Sequence, residues 1–178
     1  MSISRRGSIA SARTSNPLLT FNFPPPTITD QQDGSAVYVL GLKFSVNTPC
    51  TCVGIEYFTP LTAPIDTAEF TLWNADTELV IETKSYQLQP ADLGREFQVM
   101  FTTPRALSVG VNYMATYHTN NLAPTRYTAT SLVGWPQTEG PLVANASNGW
   151  YVPWNSLVYP NNVSAFANNY HVGPVVQL

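Results

Sequence analysis

Short apolar runs of period two, each closed by proline, glycine or asparagine, recur along most of this chain and favour sheet over helix. Tyr38, Leu40, Leu42, Phe44 and Val46 alternate with smaller or polar residues until Thr48-Pro49. Successive side chains of a strand point to opposite faces, so the alternation gives each strand one face for the core. Val53, Ile55 and Tyr57 repeat the pattern before Pro60 and Pro64. Phe70 and Leu72 alternate with Thr71 and Trp73, and Asn74-Ala75-Asp76 turns the chain towards Leu79 and Ile81. Phe97, Val99 and Phe101 run to Thr103-Pro104, Val109, Val111, Tyr113, Ala115 and Tyr117 follow, and a last run surrounds Tyr170-His171-Val172. Only Pro90-Ala91-Asp92-Leu93-Gly94 predicts a helical turn. Strands at this spacing predict an all-β fold, an antiparallel sandwich or barrel.

Length and charge narrow the class. A chain of 178 residues suits one domain, and 44% hydrophobic residues can fill a core. Charged residues make up only 11%, with a net charge of −3, which argues against a nucleic-acid binder with its clustered cationic surface. No run of apolar residues is long enough to cross a membrane as a helix. Ser4-Arg5-Arg6 and Ala10-Ser11-Ala12 imitate the ends of an export signal, but Gly7-Ser8-Ile9 between them is no apolar segment. An export signal is therefore not expected.

Residues 1–34 read as an extended N-terminal arm, and residues 35–178 as the sandwich. Before Asp30 the arm's only charges are Arg5, Arg6 and Arg13, and neither helical nor strand period is sustained. Its apolar patch holds Leu18, Leu19, Phe21 and Phe23, followed by Pro24, Pro25 and Pro26. Consecutive prolines fix φ, offer no backbone donors and form an extended spacer. Such an arm is a loose tail, a cover for its own sandwich, or a reach to another subunit. Apolar surface is costly to leave in water, which favours docking on a partner through Leu18, Leu19, Phe21, Phe23 and the proline spacer.

After Arg126 the composition shifts. From Tyr127 to the end Glu139 is the only charged side chain, while Trp135, Trp150, Tyr151, Trp154 and Tyr159 stand among many asparagines. Uncharged aromatic loops suit subunit interfaces, where charge would be desolvated. They also suit glycans, whose sugar rings stack on aromatic rings and whose hydroxyls bond to amides. Packing of the loops onto the sandwich itself is the third use.

Catalytic patterns are missing. His118 and His171 each follow a tyrosine at a strand end, and they read as polar surface or loop residues without the further ligands zinc needs. Cys50-Thr51-Cys52 places its thiols at the limit of disulfide reach in an extended strand, so reduced, partly buried thiols are expected. Glu78 and Glu82, placed on one strand face, would stand about 13 Å apart, too far for a pair of glycosidase acids. No nucleophile elbow, zinc-protease helix, phosphate loop or dinucleotide glycine motif occurs. No enzyme, metal or cofactor is expected.

Taken in order, Leu40-Gly41-Leu42-Lys43-Phe44, Val53-Gly54-Ile55-Glu56-Tyr57-Phe58 and Phe70-Thr71-Leu72-Trp73-Asn74 form a recognisable series. It continues through Phe97-Gln98-Val99-Met100-Phe101, Thr103-Pro104 and Val109-Gly110-Val111-Asn112-Tyr113-Met114-Ala115-Thr116-Tyr117-His118. With the closing Asn169-Tyr170-His171-Val172-Gly173-Pro174-Val175-Val176, the series resembles the family called domain of unknown function 4082 over about residues 36–178. The resemblance implies a jelly-roll-like β-sandwich serving as an accessory module, without an agreed enzymatic role. Its members occur in secreted bacterial proteins and among capsid- and tail-associated proteins of actinobacterial phages. The proline-punctuated arm and the missing export signal favour the phage form. A virion protein is therefore expected, a capsid decoration or minor tail protein, with other virion proteins and further copies of itself as partners. A glycan-binding module for host or cell-surface attachment is the alternative.

Overall fold

A computed structural model describes residues 16–22, 28–32, 37–63, 65–119, 126–131, 137–144, 149–153, 157–163 and 168–178. The fold is an antiparallel β-sandwich. Its larger sheet is built on β2 (Tyr38–Val46), β4 (Thr67–Asn74), β5 (Leu79–Gln87) and β7 (Asn112–Thr119), in the order β2-β7-β4-β5. Beyond β2 the sheet is extended by three-residue β9 (Gln137–Glu139) and β10 (Leu142–Ala144), and by β11 (Gly149–Pro153) and β12 (Asn162–Val163). The smaller sheet has the order β14-β3-β6, from β3 (Cys50–Phe58), β6 (Glu96–Leu107) and β14 (Val172–Gln177). A further sheet joins β1 (Ile28–Gln32), β8 (Arg126–Ser131) and β13 (Asn168–Asn169). The helical turn expected near Pro90 is a 3-10 turn, Pro90–Asp92, capped by Gln89 and Asp92.

Alternation places the core where the sequence puts it. Leu40, Leu42 and Phe44 from β2, Phe70 and Leu72 from β4, and Tyr113, Ala115 and Tyr117 from β7 are buried together with Ile55, Tyr57, Val99, Phe101, Val172 and Val176 of the facing sheet. Aromatic rings join the two layers. Tyr57 stacks on Tyr117 at 4.2 Å between centroids, Phe97 packs edge-on to Tyr57 and to Phe70, and Phe70 lies tilted against both tyrosines. Offset and edge-to-face contacts suit the quadrupoles of these rings and add to the energy of area burial.

The larger sheet is covered on its second face too. Val39, Thr71, Trp73, Met114, Thr116 and His118 occupy the alternate positions and are all buried. Two polar side chains there bond in sequence: the Trp73 indole N–H donates to Thr116 Oγ1 at 2.8 Å, and the Thr116 hydroxyl donates to the Thr71 carbonyl at 3.3 Å. A buried hydroxyl without such partners would cost more than the bond itself contributes.

Packing and pairing begin before residue 35, which the sequence pattern does not show. β1 lies within the stretch read as arm, and it pairs antiparallel with β8. Earlier still, Leu19 and Val176 exchange both backbone bonds, 2.9 Å and 2.8 Å, at the free edge of β14. Phe21, expected to dock on a partner, is 3% exposed inside the sandwich's own core, edge-on to Phe44 at 6.5 Å. A phenyl ring buried against its own domain loses no further water on meeting another protein, so Phe21 is core.

Candidate functional site

The best-defined constellation around the expected site residues is the slot that receives residues 16–22. One wall is the edge of β14, where Gln177 donates through Nε2 to the Asn16 carbonyl and Asn16 donates through Nδ2 to the carbonyl of Leu178. The floor is Phe44. The second wall is the β9–β10 hairpin, whose residues Gln137, Thr138 and Glu139 line a small cleft with Phe21 and Asn22. The hairpin turns at Gly140 with φ +53, and a Cβ there would stand 3.1 Å from Leu19 Cδ1. Glycine therefore serves both the left-handed turn and the close approach of Leu19. Leu19 is partly buried, and Leu18 on the other side of the strand is 43% exposed. Phe23, Pro24, Pro25 and Pro26 lie outside the described residues.

The aromatic set does not converge. Trp150 and Tyr151 are consecutive in β11, so they face opposite sides of the sheet. Trp150 sits opposite Gly41 with the Lys43 ammonium 5.3 Å from its ring centroid, a cation–π contact. Tyr151 turns inward, edge-on to Tyr38 at 6.1 Å, and packs against the core. Tyr159 covers the second face of the larger sheet, edge-on to Trp73 at 5.7 Å. Partial burial of the ring, helped by the carboxylates of Glu78 and Asp76, pushes the Tyr159 phenol up to about 12. Trp135 and Trp154 lie outside the described residues.

The histidines are not surface residues. His118 is fully buried in the central strand β7, with Nδ1 3.8 Å from Glu69 Oε2, and His171 is 5% exposed. His171 turns the chain into β14 at φ +49, its carbonyl accepts the Phe58 N–H at 3.0 Å, and its ring packs edge-on to Phe58. The polar character of histidine gave the wrong exposure: His118 is buried because the second face of the larger sheet is covered, and His171 because its turn packs against Phe58. Burial pulls the His171 imidazole down to about 4 from an ordinary value of 6.5. The folded state thus holds the neutral ring while the unfolded chain takes up a proton below pH 6.5, so stability falls as pH drops towards 4. At pH 5 the loss is about 2 kcal/mol, from about 1.4 kcal/mol per pH unit. Urea unfolding at pH 7 and pH 5 is expected to show this loss in the wild type and not in His171→Asn, where asparagine tolerates the left-handed backbone. Parallel losses in the two proteins would contradict it.

Cys50 and Cys52 are free and buried, as expected of reduced thiols. Burial raises both, Cys52 to about 12, and its thiol donates to the Gly54 carbonyl at 3.3 Å. Glu78 is not on a strand with Glu82, since it stands in the preceding turn at φ +59. Glu82 joins the sheets at their other margin, accepting two bonds from Arg105, 2.8 Å and 2.6 Å, through one oxygen. Among the described residues no group of three or more His, Cys, Asp or Glu stands close enough to hold a metal.

Sequence reasoning missed the receiving side of the slot, namely Val176, Phe44 and the Gln137–Glu139 strand. The available signal was the two-residue step from Leu19 to Phe21, which is the strand period but too short to stand out. No curated protein matches the sequence. The family whose description is Domain of unknown function (DUF4082) matches residues 24–172, from before β1 to the first residue of β14. A match over most of the chain, together with an antiparallel β-sandwich through the quoted motifs, makes this chain a member of that family.

Proposed function

We propose that this protein is a non-enzymatic structural component of a tailed-phage particle, a capsid decoration or tail-associated protein that works through its surfaces and not through a reacting group. The observation that carries the non-enzymatic part is the placement of the side chains with acid–base and nucleophilic chemistry. His118, His171, Cys50 and Cys52 are all buried in the fold, with the Cys52 thiol held far above neutrality and His171 far below it. A thiolate nucleophile or a general base poised near neutral pH needs the opposite arrangement.

Surfaces suited to protein contacts support the rest. Leu79 and Val80 are exposed by 66% and 49% beside the turn that Asp76 ties to Asn112, and Val109 is exposed by 53% just before Asn112. Low overall charge reduces the desolvation cost of covering such surface. Trp150 and Tyr151 pack to opposite sides of β11, so these two rings do not form one platform for a sugar, which favours protein contact over the alternative of glycan binding.

Quantitative mass spectrometry of gradient-purified particles from the source of the sequence tests the proposal. The expected result is a fixed copy number per particle. Absence from particles while the protein is abundant in the lysate would overturn it.

A further inference from the structure

We propose that Met100 is the oxidation site of the folded protein, where hydroperoxides convert the thioether to the sulfoxide ahead of Met114 and ahead of the thiols of Cys50 and Cys52. Met100 stands between Val99 and Phe101, both buried in the core, so strand alternation points it away from the core. It is 43% exposed, and it is the only large apolar side chain of β6 that is exposed. On the outer face of the smaller sheet it lies opposite Gly54. A Cβ on Gly54 would stand 3.1 Å from Met100 Sδ, so the sulfur rests over a residue without a side chain.

Two internal contrasts carry the assignment. Met114 makes the same kind of contact, its Sδ 3.1 Å from where a Cβ of Gly41 would stand, but it is fully buried on the covered second face of the larger sheet. The two thioethers are chemically alike and differ in access to the reagent. The cysteines provide the second contrast. A thiol reacts as its thiolate. Cys50 and Cys52 are 7% and 0% exposed, and their burial favours the protonated form. A thioether has no proton to lose, so its sulfur is always in the reactive form, and the usual precedence of cysteine over methionine is reversed in this fold. In the step itself a sulfur lone pair attacks the terminal oxygen of the hydroperoxide, and the S–O bond forms as the O–O bond breaks. The hydroxyl proton passes to the departing oxygen, which leaves as water or an alcohol. Sulfur is oxidised by two electrons and the peroxide is reduced by two. A flexible apolar side chain becomes a polar, chiral one on the exposed face of β6, and sulfoxide reduction restores it.

The test treats the full folded chain with hydrogen peroxide and follows each peptide by mass over time. Met1, which lies outside the described residues, falls on a peptide of its own. The Met100 peptide is expected to gain one oxygen about tenfold or more faster than the Met114 peptide, with the peptide of Cys50 and Cys52 unmodified until Met100 is consumed. Equal rates for Met100 and Met114, or earlier consumption of either cysteine, would overturn the proposal. In urea the two methionines are expected to oxidise at one rate. A difference kept in urea would place its cause in local sequence and not in burial, and would overturn the proposal too. Met100→Leu, a volume-conserving change, is expected to melt with the wild type and to lose the fast oxygen uptake. Fast uptake persisting within residues 16–178 of this variant would remove the assignment to Met100.

Discussion

Gly54→Val is expected to destabilise the protein by about 3 kcal/mol or more, at the upper end of the range for overpacking. Gly54 lies in β3 at an irregularity of its pairing with β6, where the register shifts between Cys52 and Gly54. A Cβ at this position would stand 2.5 Å from the carbonyl oxygen of Val99 and 3.1 Å from Met100 Cα. The Met100 sulfur, also 3.1 Å away, can swing aside, but the nearest atom is a backbone carbonyl oxygen, so relief requires β6 to move away from β3. That movement would strain the ladder that carries Val99 and Phe101 into the core. Against a total stability of roughly 5–15 kcal/mol, the loss is large. Urea unfolding with an unchanged slope and a lowered midpoint is the expected signature, and a midpoint equal to the wild type would show that β6 yields without cost.

The strands that carry the core were legible because burial on one face leaves a period of two in the sequence. β2, β4 and β7 follow that rule through Leu40, Leu42 and Phe44, through Phe70 and Leu72, and through Tyr113, Ala115 and Tyr117. The second covered face of the larger sheet was legible in principle. Thr71, Trp73, Met114 and Thr116 stand where a solvated strand would carry charges, and their neutrality fits a buried layer. β1 was hidden for the opposite reason: Ile28-Thr29-Asp30-Gln31-Gln32 has almost no apolar residue, and its strand state rests on pairing with the distant β8. The opposed directions of Trp150 and Tyr151 follow from strand alternation, but their segment shows no alternation of its own. β11 is a strand because it pairs with β2 from Tyr38 to Leu42.

Phe21→Ala carries the other large effect. The ring is 3% exposed, belongs to the core cluster and meets Phe44. Removing a buried phenyl forfeits its transfer free energy and leaves a cavity, together about 3–5 kcal/mol. Leu18, one strand position from Leu19 and 43% exposed, provides the contrast, since exposed substitutions stay within about 0.5 kcal/mol. A free arm ending at residue 34 would make the two substitutions equivalent. A strap that completes the sandwich separates them.

The strap and its slot both stand on Phe21 being core. Thermal unfolding of wild type, Leu18→Ala and Phe21→Ala side by side, at one low protein concentration, tests this directly. For a protein of this size about 3–5 kcal/mol corresponds to a fall in Tm of roughly 6–20 °C, expected for Phe21→Ala, with Leu18→Ala melting beside the wild type. Coincident melting of all three proteins would contradict the account and return residues 16–22 to a tail that the sandwich does not use.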